Sequence, residues 1–388
     1  MASDTTPMLK VTLGAADISL QVVRVDVEDV DRGADKATFV MSDPGSTNSD
    51  GVQEGMAVRI ELGWETEYAL AFVGQVRSVR SLANSGNHRV EVTCMDMSCL
   101  FLKRPPVEGR QYTGKLDEVV TSIATRVGIQ VGKVTIDPMP SLVKYNQADR
   151  TDWQMLQDLA EFHRARCFVE VNASEDDDEA VRAAGGAPKL YFASEQSLLD
   201  QEPMGTLLYC RGMGRLLDFD YKRIGSGASP AIAAATANPD TGEPLTHETP
   251  AVPPEAQPAP TASRTDQTLD VLGEGAAADY AAARQNAVDA PVQPADQRAS
   301  RILSGAPSDA EYTEQLIKQD PTRMLGYSGS GTAMGTVFLR AKGGVMIEGI
   351  ASTAAGRWYV SRVNHIVERV QIAKKTRLTY RSSLVATR

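Results

Sequence analysis

Val58-Arg59-Ile60-Glu61 followed by Gly74-Gln75-Val76-Arg77-Ser78-Val79 returns near the other end of the chain as Val345-Met346-Ile347-Glu348 followed by Gly356-Arg357-Trp358-Tyr359-Val360-Ser361-Arg362-Val363. The spacing of Val76 and Val79 matches that of Val360 and Val363, and each copy runs through a polar turn into a further alternating strand, Arg89 to Thr93 and Thr376 to Tyr380. Strand pairs repeated this far apart predict two similar β-domains in one polypeptide. Such a chain can build a ring with twice as many domains as subunits. The repeat therefore points to assembly rather than to chemistry.

Outward from the first copy, residues 8–104 read as β throughout. Leu9 to Leu13, Ile18 to Val22 and Val58 to Leu62 alternate apolar and polar, the period of a half-buried strand. Asp43-Pro44-Gly45, Leu62-Gly63 and Asn84-Ser85-Gly86 read as turns. The period then changes. Leu116, Val119, Val120, Ile123 and Val127 form one face of a helix, with Gly128 placed to end it. A second helix opens at Thr151, where Thr151 and Gln154 fit a capping box and Trp153, Leu156, Leu159 and Ala160 share a face. Cys167 to Val171 and Lys189 to Phe192 then read as a strand pair, making 105–205 a small α/β domain.

The second β-domain is expected to be split between 206–225 and 332–388, with Thr206 to Cys210, Leu216 to Asp220 and Thr336 to Leu339 among its strands. The intervening 226–331 begins with a Pro-rich run that cannot fold alone by burial. It reads either as a linker or as an extended arm laid on a partner. Ala-rich helical stretches follow, one opening on a capping box at Ser308-Asp309-Ala310-Glu311. The predicted fold class is mainly β with α+β: two tube-like β-barrels, 1–104 and the split one, around the middle domain.

Composition excludes several classes of function. At 388 residues the chain holds about two to three domains. A net charge of −10 argues against a sequence-independent grip on nucleic acid. No run approaches the roughly 18 apolar residues of a membrane helix, and the N-terminus lacks the pattern of a secretory signal. Cys94, Cys99, Cys167 and Cys210 are scattered without a CxxC and read as reduced core residues, consistent with synthesis in a cytoplasm.

Candidate chemistry is sparse. His88, His163, His247 and His365 form no HExxH or i, i+4 pair and read as structural or surface residues. Ser328-Gly329-Ser330-Gly331 reads as a Gly/Ser turn and not as a nucleophile elbow. Gly212-Met213-Gly214 is a lone GxG between strands, and no P-loop is present. Glu175 to Glu179 lacks the glycine of a calcium loop and reads as a solvated tip. Asp218 and Asp220 share one strand face, toward solvent. No catalytic, cofactor or metal residues are assigned. Only 6% of residues are aromatic, and Trp64, Trp153 and Trp358 fall in ordered elements, which leaves little for a carbohydrate-binding surface.

Three stretches carry a resemblance: Leu116 to Val120 through Ile129, Thr151 to Ala160, and Gly356 to His365 with Thr379-Tyr380-Arg381. In order and spacing they resemble the phage late control D (gpD-like) tail-hub family, related to the hub part of VgrG-type proteins. The match covers residues 8–225 and 332–388. The resemblance implies a homotrimeric, non-enzymatic virion component without cofactors, whose six barrels adapt the sixfold tail tube to the threefold central spike of a contractile tail or injection system. It further implies a separate spike protein, since the chain stops after the second barrel, and contacts with tube, tape measure and baseplate wedge proteins, with assembly in the host cytoplasm. Insertion into a membrane is not expected. The alternative from another class is a tail-tip peptidoglycan hydrolase or cell-wall-binding tail protein, which would need an acid/base pair or metal site in a cleft.

Overall fold

A computed structural model describes residues 6–43, 47–65, 67–84, 87–102, 110–136, 139, 141–163, 165–172, 186–194, 197–198, 200–210, 214–223, 232–237, 244–249, 301–303, 327–351, 354–372 and 375–388. The first part is β1 (Pro7–Leu13), β2 (Ala16–Asp17), β3 (Val22–Val30), β4 (Lys36–Ser42), the short α1 (Thr47–Gly51), β5 (Ala57–Trp64), β6 (Glu67–Asn84), β7 (Asn87–Asp96) and a 3-10 turn (Met97–Leu102). The middle part is β8 (Gln111–Lys115), α2 (Leu116–Val127), β9 (Gln130–Thr135), β10 (Ser141–Asn146), α3 (Asp152–Phe162), β11 (Ala165–Asn172) and β12 (Ala187–Ser194). Then come β13 (Thr206–Leu208), β14 (Leu216–Arg223), β15 (Ile232–Ala237), β16 (Pro244–Thr249), β17 (Arg301–Leu303), β18 (Tyr327–Met334), β19 (Gly343–Glu348), β20 (Gly356–Ile372) and β21 (Lys375–Thr387).

The chain is mainly β, and its largest sheet repeats itself. The first half runs β3-β4-β7-β6-β5 and the second β14-β18-β21-β20-β19, so the strands occur in the same chain order and the same spatial order. Irregularities repeat as well. A bulge between Val76 and Ser78 on β6 recurs between Val360 and Arg362 on β20. Another between Val22 and Arg24 on β3 recurs between Leu216 and Asp218 on β14. Bulges re-aim a strand and are built features of a sheet. The halves differ at the outer end, where β1 pairs β5 antiparallel but β13 pairs β19 parallel. They are joined edge to edge by β20 and β3, antiparallel from Arg362↔Val30 to Glu368↔Arg24, into one 13-stranded sheet.

Alternation in the sequence explains why one face of each half is dry. Val25, Val27, Ile60, Val76, Val90, Val92 and Cys94 pack in the first core; Val345, Ile347, Trp358, Val360, Val363 and Leu384 pack in the second. Trp64 ties the two together, its indole N–H donating to the Gly335 carbonyl at 2.7 Å.

The middle part follows its sequence signals closely. Leu116, Val119, Val120 and Ile123 of α2 are buried, and Gly128 ends the helix at φ 79°. At α3 the Gln154 N–H donates to the Thr151 hydroxyl at 3.1 Å, while the Gln154 side chain accepts from the Thr151 N–H at 2.9 Å. Thr151→Ala is expected to cost about 1 kcal/mol, read as a shift in urea midpoint, because it strands a free helix donor. Trp153 is buried against Phe101, ring centroids 6.0 Å apart. β11 pairs β12 antiparallel and β12 pairs β9 in parallel, while β10 pairs β8.

Several expectations are corrected. Ile18 to Val22 is a turn with Leu20 91% exposed, and the strand begins at Val22. Gly63 lies within β5 and does not form a turn. Residues 97–102 of the first region are helical in the 3-10 sense, not β. Ser328 to Gly331 is no turn: it forms the middle of β18, so residues 327–331 belong to the sheet. The glycines are there for the neighbouring strand, since a Cβ on Gly329 would meet the Phe219 ring at 2.6 Å and one on Gly331 would meet the Asp218 carbonyl at 2.5 Å. Conversely, Thr336 to Leu339 is not a strand but the turn after β18. Cys94, Cys99 and Cys167 are buried as free thiols, whereas Cys210 is exposed. Within 226–331, β15 and β16 of the Pro-rich run join β17 further on in a small separate sheet, where a linker or an extended arm was expected. Glu175 to Glu179, Gly212, Met213 and the capping box at Ser308 lie outside the described residues.

Candidate functional site: a buried charge cluster between the β halves

Among the described residues the densest polar chemistry sits where both halves of the large sheet meet the middle part. Asp29 is the last residue but one of β3, Asp35 precedes β4, Asp96 ends β7, Glu170 lies on β11, and Arg340 and Lys342 occupy the turn before β19. Asp29, Asp35, Asp96 and Lys342 are all less than 7% exposed. The Lys342 ammonium donates to Asp29 Oδ1 at 2.7 Å, Asp35 Oδ2 at 2.8 Å and Glu170 Oε1 at 2.9 Å. Arg340 bridges the same acids from outside, with Nε to Asp29 Oδ2 at 2.7 Å and Nη2 to Glu170 Oε2 at 2.9 Å. The Phe168 ring centroid lies 5.2 Å from the ammonium, and Arg166 makes a second tie to Asp31 at 3.1 Å. Lys342 itself adopts a left-handed φ of 67°, held by the Ala341 N–H donating to Asp29 Oδ2 at 3.1 Å.

The electrostatics follow from burial. Burial pushes Asp29 upward, but Lys342 and Arg340 outweigh it and hold Asp29 well below the usual carboxylate range. Asp35 goes the other way: burial, with the Asp29 charge added, raises it well above that range. The two neighbouring acids are thus pushed in opposite directions, as like charges in a shared dry site require. Burial also raises Asp96 to about 7 against the pull of the Ser98 hydroxyl. Burial pulls Lys342 down, but Asp29, Asp35 and Glu170 reverse this and raise it. Oxygens of Asp29, Asp35 and Glu170 lie within 4.8 Å of one another, a spacing that suits a metal ion. Lys342 already supplies the cation they bind. A cleft of about 20 Å³, room for one water, opens beside them between Asp35, Asp96 and Arg340. Chemically the arrangement is a clamp joining three parts of the chain.

None of the described candidate residues enters it. His88 is exposed on β7, His163 caps the C-terminus of α3, and His247 lies on β16. Asp218 and Asp220 are exposed on β14. His365 is buried on β20, its Nδ1 2.9 Å from the Ser382 hydroxyl and its Nε2 2.9 Å from the Leu339 carbonyl. The cluster residues went unread, although two carried a signal: Asp29 and Asp96 continue the inward phases Val25-Val27 and Val92-Cys94 of their strands.

His163 and His365 are both held down to about 4, chiefly by burial. Below the ordinary value of 6.5 the unfolded chain binds protons that the folded chain refuses, so this part of the stability is lost as pH falls through about 4. Asp35 and Asp96, raised by burial, act with the opposite sign over that window. His365→Gln is therefore expected to lose less stability than the parent between pH 6.5 and 4. Urea midpoints at the two pH values check this, and equal losses refute it.

No family model and no curated protein matches the sequence. Solved structures do match in three dimensions. A tail protein from Neisseria meningitidis MC58 superposes with a TM-score of 0.61 at 13% identity, over 99% of this chain and 97% of that one. The fold is that of phage tail proteins. A 43 kDa tail protein of prophage MuSo2 from Shewanella oneidensis gives 0.62 at 9% identity, over 99% and 98%. An Escherichia coli type VI secretion component, described as similar to the T4 tail proteins gp27 and gp5, gives 0.57 at 10% identity, over 98% and 76%. Phage tail and secretion-system proteins thus share this architecture. Among the described residues no helix is long and apolar enough to cross a membrane.

Proposed function

We propose that this chain is a structural baseplate hub of a contractile tail or injection machine. Three copies form a ring of six similar β units, 1–104 and the split 206–225 with 332–388 from each, and the ring adapts a sixfold tail tube to a threefold central spike. The observation that carries this reading is the repeat of strand order and bulges within one continuous sheet, which gives a single subunit two equivalent places in a ring. The late control D resemblance and the tail-protein fold support the setting. In this reading the chain performs no catalysis, the buried clamp holds two ring positions at a fixed angle, and the partners are tube, spike, tape measure and wedge proteins in a tail assembled in the host cytoplasm. Native mass spectrometry should give a species of about three times 41.7 kDa, and immunogold labelling should mark the tail tip. A monomer in intact particles, or labelling along the tail, would sink the reading.

A further inference from the structure

We propose that neighbouring copies of this chain join through β6 of one and β14 of the next, repeating between molecules the β20–β3 seam that each chain makes within itself. The matched bulges set the correspondence: Val76 stands where Val360 stands, and Val22 where Leu216 stands. In the internal seam, β20 residues 362–368 pair with β3. Their counterparts on β6 are residues 78–84, which among the described residues pair only with β7 on one side. The counterpart of β3 is β14, which ends the sheet; Leu216 bridges Tyr209, and residues 218–223 pair, among the described residues, only with β18. Among the described residues each copy therefore has two different open edges, each the equivalent of one side of a seam already formed.

Burial and size agree with the match. Val363, His365 and Val367, on the β20 side of the internal seam, are buried, whereas Ser81 and Ala83, at the places of the last two, are exposed. Opposite them the transferred register puts Tyr221 and Phe219, half-buried aromatics where β3 has the fully buried Val27 and Val25. Small residues on one edge thus face large ones on the other. In the internal seam Arg362 reaches diagonally to Glu28 at 3.3 Å. The same diagonal brings Arg80 to Asp220, which offsets the placement of Arg80 opposite Lys222. Since the two edges differ, the contact is head to tail, and repeated copies close into a ring when the rotation between them closes. Only the number of copies rests on the hub reading above.

The register places Leu82 directly opposite Asp220, as Ile366 stands opposite Asp26. In a Cys210→Ser background, to remove the exposed thiol, the full chain carrying Leu82→Cys and Asp220→Cys is treated with a short bismaleimide. We expect most of the chain to shift to linked multimers, and a mixture of the two single variants to yield dimers only. Should that pair disturb folding, Arg80→Cys with Lys222→Cys, one step along the same face, serves instead. Parent-like circular dichroism and a multimer in native mass spectrometry without cross-linking would overturn the seam and leave the ring reading standing. Cross-linking in a species of other than three copies would uphold the seam and overturn the trimer. A folded chain that stays monomeric overturns both.

Discussion

Lys342→Met is expected to lower the free energy of unfolding by about 3–5 kcal/mol, the usual cost of removing one partner from a buried ion pair. The thioether keeps most of the volume of the lysine stem, so little of the loss comes from packing. It comes from Asp29, Asp35 and Glu170, which lose the ammonium that donates to all three and remain close together in a dry site. Arg340 still neutralises Asp29 and Glu170 from one side. Asp35 then has neither cation, so adding Asp35→Asn to Lys342→Met should recover part of the loss. Chemical denaturation at pH 7 of the parent, the single and the double variant measures this. A single variant as stable as the parent would mean that the clamp contributes nothing to holding the parts together.

Trp358→Ala is expected to cost a similar amount, about 3–5 kcal/mol, by opening a cavity that the sheet cannot collapse. The indole is fully buried, its N–H donates to the Ala354 carbonyl at 2.9 Å, and its ring meets Phe219 edge-on at 5.0 Å, with Tyr327 and Tyr221 just beyond. Trp358→Phe keeps most of that volume and should lose much less. Because Phe219 and Tyr221 lie on the open edge strand, Trp358→Ala should also weaken association between copies at concentrations where the folded chain persists. Thermal unfolding followed by native mass spectrometry separates the two effects; unfolding at the parent's temperature would refute the first.

The parts of the fold that were legible in the sequence were those with local causes. The caps at Thr151 and Gly128 and the apolar faces of α2 and α3 need only residues a few positions apart, and the duplicated strands are visible because alternation is itself local. The errors came where a distant neighbour decides. Glycines in Ser328 to Gly331 look like a turn until the Phe219 ring is placed over them. Thr336 to Leu339 has the composition of a strand, yet it must bend to bring Arg340 and Lys342 onto Asp29. The cluster was the least legible feature, as Lys342 stands more than 300 positions from Asp29 and Asp35. An aspartate in the inward phase of a strand was the one trace it left, at Asp29 and Asp96.

The two halves also put one corner of their common plan to opposite uses. Between β3 and β4 the link is residues 31–35, and it is committed: Asp31 holds Arg166 and Asp35 holds Lys342. At the matching corner, between β14 and β18, the chain leaves the sheet after Arg223 and returns at Tyr327, with residues 224–326 between. One copy of the corner thus serves as a fastening, while the other carries a long excursion. A ring built from such chains carries ornaments at every second position only, and a foreign domain grafted onto it belongs at the second corner, away from the Asp31 and Asp35 ties of the first.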